Sequence, residues 1–96
     1  MIVDRMVWHV QPGKVEQVAE MLSQFLNDPD HPMKRVYVPK ISPLHRVVFE
    51  EEYESVAAWE RGRDEWSASE FAAEFMPKWY EPMEGGGTEE IWELVD

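Results

Sequence analysis

The sequence predicts an α+β fold in which a four-stranded antiparallel sheet carries its helices on one face. Three observations predict it. The chain is 96 residues long, which suits one domain. It falls into two similar halves, each pairing strand-like with helix-like sequence. The strand-like runs Lys34–Ile41 and Leu44–Glu54 follow each other with no room for a helix between them. The resulting order, β-α-β-β-α-β, is the ferredoxin-like split βαβ pattern.

Ile2–Val10 reads as the first strand. Both its even set (Ile2, Asp4, Met6, Trp8, Val10) and its odd set (Val3, Arg5, Val7, His9) carry apolar residues. A strand of this kind is covered on both sides. Pro12-Gly13 ends it. Val15, Val18, Ala19, Leu22, Phe25 and Leu26 then recur at helical spacing. Glu16 and Glu20 sit near the start of that helix, where its dipole favours acid. Asn27-Asp28-Pro29 stops it.

Lys34–Ile41 is the second strand, and Pro39 inside it points to an edge strand or a bulge. Ser42-Pro43 is the turn of a hairpin into the third strand, Leu44–Glu54. Ser55 is the expected N-cap of the second helix. Val56, Trp59, Arg63 and Trp66 lie along one side of it. Ala68, Phe71, Ala72, Phe75, Met76 and Trp79 form a further helical register, with a break expected near Ser67 and a cap from Ser67 or Ser69. Pro77 should end or kink this segment. Gly85-Gly86-Gly87 reads as a flexible connector, and Glu90–Val95 as the last strand.

Composition excludes several functions. Twenty acidic residues against nine basic give a formal charge of −11, so nucleic acid and anionic membrane surfaces are not expected partners. With no cysteine there are no disulfides or thiolate metal sites, which is compatible with a cytoplasmic protein. No signal peptide is expected, because a strand begins at Ile2. No apolar run approaches the ~20 residues that span a bilayer. A chain this short buries only roughly 60–65% of its unfolded surface. The open sheet face, with Val3, Val7 and Val48, therefore predicts a homodimer. Arg5, Arg46, Glu50 and Glu52 should share that face as interface ion pairs.

Val10-Gln11-Pro12-Gly13-Lys14 leads into the first helix, and Val47-Val48-Phe49-Glu50-Glu51-Glu52-Tyr53-Glu54-Ser55 leads into the second. With Ser69-Glu70-Phe71 and the Pro77 region, these segments resemble the dimeric α/β-barrel superfamily, most closely its antibiotic-biosynthesis-monooxygenase-like branch. The resemblance covers nearly the whole chain. It implies two sheets facing each other across a two-fold axis, and a small-molecule enzyme that needs no cofactor. Haem-degrading members of the superfamily are matched at Trp66. Their asparagine in the first strand meets Met6 or Val7, and their haem-binding histidine meets none between Ser67 and Tyr80. The resemblance therefore implies neither haem nor metal.

His9 and Tyr53 are the candidate proton carriers. With strands one and three read as parallel, His9 and His45 fall at opposite ends of the sheet, while Glu50–Glu52, Glu89 and Glu90 fall beside His9. Carboxylates there would raise the histidine pKa. His31, in a Pro-rich loop, is expected to be exposed. The ligand-binding candidates are aromatic: Trp8, Phe49 and Trp92 by strand parity, and Trp66, Phe71, Phe75 and Trp79 by helical register. These residues either pack as a filled core or line an apolar cleft for a flat or aromatic ligand. Three functions follow: a monooxygenase-like enzyme acting on a small aromatic or polyketide-like molecule, a non-catalytic binder of an apolar metabolite, or a structural or regulatory dimer.

Overall fold

β1 (Ile2–Val10) lies inside a four-stranded sheet, flanked by β3 (Arg46–Tyr53) and β4 (Met83–Glu93), with β2 (Met33–Tyr37) at the edge beyond β3. α1 (Val15–Leu26) joins β1 to β2, and α2 (Val56–Ala68) and α3 (Glu70–Tyr80) join β3 to β4. The computed structural model describes residues 1–41 and 43–95. Ser42, expected in the hairpin turn, lies outside the described residues.

Strand direction corrects the sequence reading. β3 runs antiparallel to β1, pairing Ile2 with Tyr53 and His9 with Arg46. The crossover through α1 makes β2 parallel to β1, and the hairpin then reverses β3. β2 stops at Tyr37, so Pro39 lies beyond it and the ladder needs no donor there. The strand is an edge strand, with an irregularity between Met33 and Arg35.

Ser55 caps α2, its hydroxyl accepting the Ala58 N–H at 3.1 Å. Ser69 separates the two helices and caps α3 by accepting from the Ala72 N–H at 3.0 Å. Pro77 does not end α3, which runs on to Tyr80. Packing overrides the lost hydrogen bond: Trp79 is 2% exposed and meets Trp8 edge-on at 5.3 Å and Phe49 at 6.1 Å.

Gly85–Gly87 is no free connector. All three glycines have positive φ and belong to β4, which begins at Met83. Gly87 faces Trp8 and Met83 faces Val10, so β4 carries a glycine bulge here. A Cβ on Gly87 would lie 2.4 Å from the Val7 carbonyl oxygen, so only glycine lets the strands close.

The core lies between the sheet and α1 and α3. Val10, Val18, Leu22, Phe25, Met33, Val47, Phe49 and Trp79 are buried in it. α2 buries no residue, although partly buried Trp66 packs on the core. The sheet's other face carries Arg5, Arg35, Glu50 and Glu52. Arg35 bridges Glu50 at 2.6 Å and Glu52 at 2.7 Å, and Arg5 reaches Glu50 at 3.6 Å. Sequence parity anticipated Arg5 and the two glutamates on this face but missed Arg35, which makes the shorter contacts.

Candidate functional site

The helices do not fill the space above the sheet. A cleft of about 1200 Å³ opens there. Met6, Trp8 and Phe49 rise into it from the sheet, Phe25 from α1, Trp66 from α2, and Phe71, Phe75 and Trp79 from α3. The rings contact each other, Phe25 meeting Phe75 at 5.2 Å and Trp66 meeting Phe75 at 5.9 Å. Phe71 stacks on Phe75 yet remains 49% exposed at the rim. Six of the seven aromatic candidates thus surround one space.

Trp92 is the exception. It pairs with Val3, on the face away from the helices, and is 58% exposed. Its indole N–H donates to Glu90 at 3.0 Å. The glycine bulge resets the phase of β4, so parity counted along the sequence gives the wrong face.

The two proton-carrier candidates part company. Tyr53 lines the cleft. His9 belongs to the opposite set of β1, opposes Arg46 and lies against Gly86. Glu89 opposes Met6, Glu90 opposes Arg5, and Glu50–Glu52 oppose Arg5 to Val3. The carboxylates expected around His9 are therefore further along the sheet. The Val10 N–H donates to the His45 carbonyl at 2.8 Å, so His9 and His45 share one end of the sheet instead of occupying opposite ends. Antiparallel β3 moves Glu50–Glu52 and His45, and the earlier start of β4 at Met83 moves Glu89 and Glu90. Among the described residues, no three His, Asp or Glu side chains gather as a metal site. His31 is half-buried, not exposed: it stacks on Phe25 at 4.7 Å and accepts the Met33 N–H at 3.0 Å. Burial lowers its pKa.

Acids gather at the other end of the cleft. Asp4 is 0% exposed and lies opposite Glu51. The Trp59 indole N–H donates to Asp4 Oδ2 at 2.9 Å, while Asp4 Oδ1 has no ordinary donor. Burial, followed by a hydrogen bond to Glu89, pushes the Asp4 pKa up to about 7. A protonated Asp4 can donate to the Glu89 carboxylate, which gives the orphaned oxygen a role. Burial opposes ionisation of Glu89, but hydrogen bonds from Arg63 and Asp4 hold its pKa below the usual value. Arg63 reaches both Glu89 oxygens, at 2.8 and 2.7 Å.

Glu51 lines the cleft beside this pair, and burial raises its pKa. The Tyr53 hydroxyl donates to Glu51 Oε1 at 2.8 Å. Burial and then the Glu51 charge push the phenol pKa strongly upward, so Tyr53 is a hydrogen-bond donor near neutral pH. The arrangement can hold a proton at Glu51 and exchange it with a ligand in the cleft. Sequence reasoning passed over Asp4, Glu51 and Arg63 in this role. The available signal was Asp4 itself, a lone acid among Ile2, Met6, Trp8 and Val10 on the helix-facing side of β1.

The fold is shared with solved structures. A NIPSNAP family protein from Agrobacterium tumefaciens superposes with TM-score 0.80 at 17% identity, over 99% of this chain and 86% of the other. An uncharacterised NIPSNAP domain protein from Burkholderia xenovorans gives TM-score 0.82 at 15% identity, over 99% and 95%. An antibiotic biosynthesis monooxygenase gives 0.67 at 19% identity, over the whole of both chains. At these identities the likeness establishes the ferredoxin-like α+β fold. No protein-family model matches the chain. No curated protein matches it.

Proposed function

We propose that the chain is a small-molecule enzyme that takes a flat, electron-rich aromatic molecule into the cleft and moves a proton to or from it. The observation that carries this reading is an aromatic-walled cleft lined also by Glu51, a half-buried carboxyl whose pKa is raised. A purely structural core would leave no such space, and a simple apolar binder would need no half-buried acid beside its ligand. The reaction class is cofactor-independent monooxygenation. Glu51 removes the hydroxyl proton of a phenolic substrate, which makes the ring electron-rich, and Tyr53 orients the carboxylate. Dioxygen is the oxidant: one oxygen atom replaces the single hydrogen of the attacked ring carbon and becomes a quinone carbonyl, and the other leaves as water with that hydrogen and the hydroxyl hydrogen. The electrons come from the substrate, so the protein supplies binding, orientation and proton transfer.

The test is dioxygen uptake with hydroxylated naphthalenes and anthracenes. Quinone formation matched to oxygen uptake, reduced at least roughly 100-fold in Glu51→Gln, supports the reading. Absence of both binding and uptake across the series overturns it. We propose further that the working unit is a homodimer through the open sheet face. Among the described residues no helix is long and apolar enough to cross a membrane.

A further inference from the structure

The cleft has an uneven charge that an aromatic hydrocarbon would not use. Among its described lining residues, the acids Asp28, Glu51, Glu65 and Glu89 face one basic side chain, Arg63. Arg63 is already committed, with both Glu89 oxygens on its guanidinium. Glu51 makes no salt bridge among the described residues: its side chain accepts from the neutral Tyr53 hydroxyl, and Arg63 acts on it only from beyond contact distance. Behind it, Asp4 is 0% exposed and brings another carboxyl group, not a cation, to this end of the cleft. The other walls present aromatic rings, whose negative faces attract cations. The net charge of −11 draws cations toward the molecule from a distance.

We infer that the cleft selects an organic cation, an amine or quaternary ammonium carried on a flat apolar body, with the cationic group held between Glu51 and the aromatic walls. This rests on the cleft being a ligand site, as proposed above, and adds the charge of the ligand. Two features act together. The rings bury the apolar body by displacing water, and the Glu51 carboxyl, which the Tyr53 hydroxyl meets at one oxygen only, supplies the charge-assisted contact. An anionic ligand of the same shape would meet these acidic groups, and the one basic side chain among the described lining residues, Arg63, is already held by Glu89.

Three naphthalenes of matched shape test this: 2-naphthylmethylamine (cationic), 2-naphthylmethanol (neutral) and 2-naphthoate (anionic). Binding is read by calorimetry on the intact protein at pH 7.5. The expected result is that the amine binds at least about tenfold tighter than the alcohol and the naphthoate does not bind. Glu51→Gln, checked for folding by circular dichroism, should bring the amine-to-alcohol affinity ratio down to about one. Equal affinity for amine and alcohol, or preference for naphthoate, overturns the charge inference and leaves the cleft as an apolar site. Failure of all three probes to bind overturns both the charge inference and the cleft as a ligand site.

Discussion

The Tyr53 hydroxyl donates to Glu51 Oε1 at 2.8 Å from two positions further along the same strand face. An i, i+2 pair on a strand projects to one side, so β3 alone fixes this contact. Tyr53→Phe keeps the ring and removes the donor. If the proposed chemistry operates, Tyr53→Phe should lower kcat by roughly tenfold with little change in KM, and Glu51→Gln should lower it by at least roughly 100-fold. Steady-state oxygen uptake checks both. Equal activity in all three proteins would remove Glu51 and Tyr53 from the mechanism.

Asp4 predicts an unusual dependence of stability on pH. Its folded-state pKa is about 7 against an ordinary 3.8, so folding favours the protonated form. That stabilisation is complete below about pH 4 and is lost as pH rises toward 7. The loss is on the order of 2–4 kcal/mol, partly offset by Glu89, whose pKa moves the other way. Asp4→Asn keeps an acceptor for Trp59 and a permanent donor toward Glu89. The variant should be more stable than the parent at pH 8 and show a flatter profile from pH 4 to 8 in urea denaturation. A variant less stable than the parent at pH 8 would contradict the shared proton.

Much of the fold was legible because its signals are local. The Ser55 cap, the break at Ser69 and the apolar register of α1 depend on neighbours within a turn or two. The errors share a different cause. The direction of β3 depends on how α1 crosses over the sheet, and misplacing it put Glu50–Glu52 beside His9, while starting β4 at Glu90 instead of Met83 put Glu89 and Glu90 there. The face of Trp92 depends on a bulge at Gly85–Gly87, whose composition also suits a loose connector. Asp4 could have been found from the alternation of β1. Its partners Trp59, Glu51 and Glu89 come from three other elements, and no spacing in the sequence brings them together.

The aromatic residues should divide by depth. Trp79 is 2% exposed inside the core, so Trp79→Ala should cost about 3–5 kcal/mol. Phe75 and Trp66 are half-buried on the cleft wall, where truncation enlarges an open space instead of creating a closed void. Each should cost about 1–2 kcal/mol when changed to Ala. Chemical denaturation of the three variants distinguishes the sites. Losses near that of Trp79→Ala at all three would mean the cleft is closed in solution.

The sheet's open face supplies the remaining prediction. Val3, Val7 and Val48 lie half-buried among charged neighbours, and exposed Trp92 stands at the β4 side. Arg35, Glu50 and Glu52 are already ion-paired with one another. A second copy laid on this face would therefore meet a largely neutralised surface. Covering the valines and Trp92 would add apolar burial that a chain of 96 residues cannot supply for itself. An obligate interface of this kind buries on the order of 2,000 Å² or more in total. Sedimentation at micromolar concentration should show a dimer. Val7→Glu, placed opposite Val48 at the centre of the face, should shift it to monomer by setting an unpaired charge into the interface. A parent protein that sediments as a clean monomer would exclude the barrel arrangement.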